Sequence, residues 1–231
     1  MTTLHEVKVF VGQDGRGGNP LGIFLDGGGF SSEQRQFVAA DLNFSETVFV
    51  DDICSGVLKI YTPMSELPFA GHPLVGTAWL LRRQGHRVSE LRPPAGIVPV
   101  GFEGDQIWIT GRPEWCPEME FLQYDTSAQI DGLAGAPDGI GFAYCWAWDN
   151  ESENRVRARV FIPGDVAGID EDEATGSGAV AFAARIGREV TVRQGVGSLL
   201  TTRLHDDGAV SVGGAVTLTD TRLYTIGTTI D

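Results

Sequence analysis

Cysteine is scarce in this sequence. The 231 residues contain three, Cys54, Cys116 and Cys145, odd in number, widely spaced and without a C-x-x-C pair. That pattern excludes a disulfide framework and a thiolate zinc site, and it fits a reducing compartment. Positive charge is also short. Seventeen Lys and Arg stand against 31 Asp and Glu, for a formal net charge of −14. Such a surface repels phosphate backbones and anionic lipid, so neither nucleic acid nor a membrane surface is an expected partner. No apolar run approaches the roughly 20 residues that span a bilayer. Residues 1–10 lack the basic start and apolar core of a signal peptide. The expectation is a soluble, cytoplasmic protein.

Cofactor motifs are missing as well. The four histidines, His5, His72, His86 and His205, form no H-x-x-x-H pair, and Gly15-Arg16-Gly17-Gly18-Asn19-Pro20 breaks the dinucleotide fingerprint at its last glycine. No Gly-Lys-Ser/Thr follows, and Ser177 lacks the G-x-S-x-G spacing of a hydrolase nucleophile. No metal or nucleotide cofactor is implied.

What is present is an ordinary globular balance, 42% hydrophobic and 21% charged, with 31 glycines. Short β-type runs fill the chain, from Val7–Val11 and Leu21–Leu25 through Phe142–Trp148 and Arg155–Ile162 to Ala209–Val212, Ala215–Leu218 and Leu223–Ile226. Arg155, Arg157 and Arg159 alternate with apolar residues and read as a solvated strand face. Three stretches read as helix. Ser31–Leu42 begins with serine caps and carries Phe37, Val38 and Leu42 at helical spacing; Pro73–Gln84 has proline at its first position and Gly85 beyond its end; Ser177–Ile186 stops at Gly187. The second and third are apolar nearly all round, so each should be surrounded by protein.

Those two helices share a layout. Ala70-Gly71-His72-Pro73 leads into one and Thr175-Gly176-Ser177-Gly178 into the other, about 105 residues later. The weak repeat suggests two similar halves, residues 1–115 and 116–231, with the final strand able to return to the first half. The expected border lies in the turn-rich stretch Gly111–Gly139.

A helix start preceded by small residues exposes free N–H groups and the positive end of the helix dipole, which suits a carboxylate or phosphate. Two such starts could meet across a cleft and hold one small anion. Polar residues sit beside them: His72, Asp172, and Glu46 within Asn43-Phe44-Ser45-Glu46-Thr47. Each has a purely structural reading, Glu46 as a solvated strand end, His72 as a helix cap and Asp172 as an arginine partner. Together they offer two carboxyls and an imidazole, enough for acid–base chemistry.

At these residues the sequence resembles the phenazine-biosynthesis isomerase-like family. Gly18-Asn19-Pro20-Leu21, Asn43-Phe44-Ser45-Glu46-Thr47, Glu66-Leu67-Pro68-Phe69-Ala70-Gly71-His72-Pro73 and Asp172-Glu173-Ala174-Thr175-Gly176-Ser177 follow the family's order, and Leu-Pro-Phe-Ala-Gly-His-Pro is the most specific of them. Gln194-Gly195 and Val212-Gly213-Gly214 add to the likeness. The resemblance implies an α+β fold of the diaminopimelate-epimerase kind, two pseudo-symmetric halves, each a β-barrel-like sheet wrapped around a central helix, with the active site between them. It implies a cofactor-free isomerase of a small carboxylate-bearing substrate, like trans-2,3-dihydro-3-hydroxyanthranilate isomerase, and a homodimer. Glu46 would move a proton between substrate carbons, Ser45, His72 and Asp172 would assist, and Gly71, Gly176 and Ser177 would surround the substrate carboxylate. Two-cysteine racemases of this fold carry a cysteine at each helix start, where this chain has Ala70 and Thr175, so that chemistry is disfavoured. Glu173 departs from the family, which usually has proline there. The alternative is a binding or regulatory protein that kept the pocket without turnover.

Overall fold

A computed structural model describes residues 1–162 and 168–225. Among these residues, strands join into one hydrogen-bonded network. Its main path runs Glu66–Leu67, Val57–Tyr61, Glu46–Asp52, Gly17–Phe24, Thr2–Val11, Val210–Tyr224, Ser198–Leu204, Thr191–Gln194, Arg155–Phe161, Ala143–Asn150, Glu120–Gln123. The strand Val210–Tyr224 serves both halves. Its start, Val210–Gly213, pairs with Ser198–Leu204 on one side and Gln106–Gly111 on the other, and the segment from Ala215 onward pairs with Thr2–Val11.

Among the described residues four α-helices accompany the strands: α1 (Ser32–Leu42), α2 (Gly71–Arg83), the short α3 (Ser127–Asp131) and α4 (Gly176–Ile186). α2 packs against Thr2–Val11, Gly17–Phe24 and Gln106–Gly111, and α4 against Ser198–Leu204 and Val210–Tyr224. The fold is therefore the α+β arrangement expected, with a barrel-like sheet around a helix in each half. Leu74, Val75, Leu80 and Leu81 of α2 are fully buried, and each contributes about 1.5–3 kcal/mol of hydrophobic stabilisation. No helix among the described residues is long and apolar enough to cross a membrane.

The structure departs from the sequence reading in four places. α2 begins two residues before Pro73, because the first turn needs only N–H groups that are unpaired in any case, and proline fits its third position too. The runs expected at 209–212, 215–218 and 223–226 are one strand, Val210–Tyr224; residue 226 lies outside the described residues. Gly213 and Gly214 do not make a turn. They leave room for the Trp108 ring and for Phe10, which a side chain at either position would strike. Phe37 of α1 points outward at 41% exposure while Val38 and Ala39 carry the buried face. Finally, Arg157 and Arg159 are not solvated: Arg157 is buried and pairs with Asp131 of α3 at 2.6 Å, and Arg159 pairs with Glu171 at 2.6 Å.

Candidate active site

Glu46 reaches the centre of the molecule because α1 stops sharply. Asn43 adopts the left-handed conformation that ends the helix, and three residues later the chain enters the strand Glu46–Asp52, parallel to Gly17–Phe24 with Leu21 opposite Glu46. Asn19 lies on that neighbouring strand. His72 sits in the first turn of α2, where it is a helical residue rather than a cap, and only 2% exposed. Asp172 ends the short strand Glu171–Asp172, and Thr175 is the N-cap residue of α4.

A buried polar network ties these elements together. The Asn19 Nδ2 group donates to Asp172 Oδ1 at 2.6 Å and to the Ala174 carbonyl at 3.1 Å, and lies 3.2 Å from His72 Nδ1. The Ser45 hydroxyl donates to Asn19 Oδ1 at 3.0 Å. The Thr175 hydroxyl donates to Asp172 Oδ2 at 2.7 Å, and Gln194 donates both to that hydroxyl and to the Asp172 carbonyl. Asp172 therefore pairs with amide and hydroxyl donors, not with an arginine. The Asn19 amide nitrogen that faces Nδ1 cannot accept a hydrogen bond, so neutral His72 carries its proton on Nε2.

That Nε2 atom lies 3.2 Å from Glu46 Oε2, off the line of a hydrogen bond, and both atoms are buried without another partner among the described residues. Two polar atoms that face each other in one buried spot without an aligned hydrogen bond are unusual. Burial dominates the electrostatics. It pushes the Glu46 carboxyl up to about 8, with the Asp172 charge adding to the rise and Ser45 opposing it. It raises Asp172 as well, against the hydrogen bonds from Thr175 and Asn19. It lowers His72 to about 3. At neutral pH the imidazole is uncharged and Glu46 mostly holds its proton.

Beside Glu46 the two helix starts touch. A methyl carbon on Gly71 would sit 2.6 Å from Gly176 Cα, and one on Gly176 would sit 2.7 Å from Gly71 Cα. Ala70 and Thr175, the residues before each helix, supply no side-chain cap, the first having none to give and the second bonding to Asp172. The first-turn N–H groups thus have no side-chain cap from these residues. A cavity of about 340 Å³ opens here, lined by Glu46, Asp172 and Ser177 and walled by Phe69, Trp115 and Phe142. It is of small-molecule size, and no lysine or arginine lines it among the described residues. Among those residues, no three His, Cys, Asp or Glu side chains group as metal ligands.

The structure brings Glu46, His72, Asp172, Ser45, Gly71, Gly176 and Ser177 into one neighbourhood. Glu46, Asp172 and Ser177 line the cavity, while His72 stands behind Glu46 and Ser45 acts on Asn19. Sequence reasoning gave no separate role to Asn19 or Gln194, although both stood in noted motifs. It also placed no cysteine near the site, yet Cys116 lies in the cavity wall. Burial pushes its thiol up to about 12, so it stays protonated. Trp115 and Phe142 carried no signal, because loops bring them in from elsewhere in the chain.

Comparison with known proteins points the same way. Residues 7–112 match the family model of PhzC-PhzF, phenazine biosynthesis-like protein. An uncharacterised isomerase of Pasteurella multocida is 40% identical over 109 residues, covering 45% of this chain and 37% of that protein. The trans-2,3-dihydro-3-hydroxyanthranilate isomerase of Pseudomonas aeruginosa is 45% identical over 90 residues, covering 37% of this chain and 32% of that protein. The matches to these first curated relatives thus span about a third of the relatives' length. The crystal structure of a PhzC/PhzF protein from Clostridium difficile superposes with a TM-score of 0.78 at 17% identity, over 98% of this chain and 100% of that one, so the fold is shared along the whole chain.

Proposed function

We propose that this chain, a relative of the phenazine biosynthesis-like proteins, is an isomerase that moves a proton between carbons of a small carboxylate-bearing molecule. The observation that carries the reading is the Glu46 side chain: it lines a small-molecule cavity, its Oε2 is buried against His72, and its carboxyl is held largely protonated at neutral pH. In this reading the substrate carboxylate rests on the first-turn N–H groups of α2 and α4, at Gly71, Gly176 and Ser177. With no lysine or arginine in the cavity wall among the described residues, backbone dipoles are the attraction available to it there.

Fixing that end would bring a C–H group to the Glu46 carboxyl at about 3–3.5 Å. The ionised form takes the proton from one carbon and returns it to another. The carboxyl ends in the state in which it began, so no proton, electron or cofactor is consumed. His72 Nε2–H would hold Glu46 or the substrate's polar group, and Asp172 would orient the amine or hydroxyl of the substrate. The two halves, 1–115 and 116–231, would each contribute one helix start, and the substrate would lie at their border. Ala70 and Thr175 supply no thiol at these starts, and the protonated Cys116 is a poor base, so a thiol pair is not part of the reading.

Incubation in deuterium oxide with trans-2,3-dihydro-3-hydroxyanthranilate, the compound named for the Pseudomonas aeruginosa relative, tests the chemistry. The native chain should incorporate deuterium at carbon, and Glu46→Gln should slow this by roughly 10²–10⁴. Undiminished exchange in Glu46→Gln removes the shuttle. Tight binding without exchange by the native chain makes it a binding protein.

A further inference from the structure

The hairpin at residues 12–18 and the turn at residues 195–198 meet backbone to backbone. A side chain on Gly12 would strike the Gly197 carbonyl, and one on Gly17 would strike the Ser198 backbone. Gly18 lies between residues paired with Thr2–Val11 on one edge, but on the other edge Glu46–Asp52 joins only from Leu21 onward. Its N–H would be buried and unpaired there, and the Ser198 hydroxyl accepts it at 2.8 Å. Ser198, itself fully buried, donates onward to Glu173 Oε1 at 2.7 Å. The Glu173 carboxylate also accepts the Val196 N–H at 3.0 Å and lies over Gly195, where no side chain would fit.

A closed circuit results. Glu173 follows Asp172 in the chain, reaches Ser198, and through it grips the Gly18 amide. The next residue, Asn19, returns to Asp172 and His72. We propose that Glu173 is a positioning residue for the candidate site, setting the place of the Asn19 side chain through Ser198 and the Gly18 amide. Asn19 in turn presents its amide to Asp172 Oδ1, fixes the His72 tautomer and takes the Ser45 hydroxyl. Glu173 itself does not line the cavity, and besides this circuit its charge acts on the neighbouring Asp172, helping to raise that carboxyl. The proposal depends on the proton-shuttle reading for its consequence, not for its geometry.

The test reads the imidazole directly, in the full chain labelled with ¹⁵N, and needs no substrate. In Glu173→Ala the His72 Nδ1 resonance should move away from its native position. The Gly18 amide should exchange with solvent about tenfold faster, the value of one net hydrogen bond. Ser198→Ala should reproduce both changes. Glu173→Gln keeps an oxygen that accepts from Ser198 and Val196, and should restore both native values. With the dihydro-hydroxyanthranilate probe, Glu173→Ala should lower kcat by about 10–100-fold with KM little changed. An unmoved His72 resonance in folded Glu173→Ala and Ser198→Ala overturns the proposal. If Glu173→Ala does not fold, Ser198→Ala decides alone. A moved resonance in a chain that never exchanges deuterium leaves the circuit standing and sinks the shuttle reading.

Discussion

Glu46 is a carboxyl that the fold holds in its unfavourable environment. In the unfolded chain it loses its proton near 4.5; in the folded chain it keeps it up to about 8. The folded state therefore binds the proton more tightly. Stability from this group is fully present below pH 4.5 and declines as pH rises through 8, by on the order of a few kcal/mol. Glu46→Gln removes the titration and keeps the shape. Its thermal midpoint should match the native one near pH 4.5 and exceed it increasingly toward pH 8.5. Equal midpoints across that range would show that the carboxyl pays no burial cost. Glu46 was legible as a candidate from its motif, but its burial was not, since only the fold places it under the cavity. Asn19 was legible only as part of Gly-Asn-Pro, because its role depends on residues 53 and 153 positions away.

At the scale of elements, the two central helices were the clearest message in the sequence. Residues 74–81 and 179–186 are apolar on nearly every face, and a helix of that kind has to be enclosed. Their ends were less clear. Proline at 73 suggested a start that the structure places at Gly71, and the runs 209–212 and 215–218, read as separate strands, belong to one strand that runs on through Gly213 and Gly214. Gly71 and Gly176 are needed for contact between the helix starts. Gly71→Ala puts a carbon inside the van der Waals distance of Gly176, costing about 1–3 kcal/mol and parting the two starts. The expected outcome is a thermal midpoint lowered by several degrees and a higher KM for a carboxylate probe. An unchanged KM with a lowered midpoint would deny the helix starts their part in binding.

Across the whole molecule, the halves are joined by the single strand Val210–Tyr224, by the meeting of helix starts and by the hairpin against the 195–198 turn. The near-repeat 105 residues apart made two halves legible, whereas the strand that serves both was hidden, because long-range pairing leaves no local pattern. The acidic charge plays no visible part at the site, where burial and helix ends set the field. The pH dependence of deuterium exchange into the dihydro-hydroxyanthranilate probe bears most directly on the role of Glu46. The expected kcat/KM rises through an apparent pKa near 8 as Glu46 ionises, and the rise vanishes in Glu46→Gln. A profile that is flat, or that turns near 4.5, would contradict it.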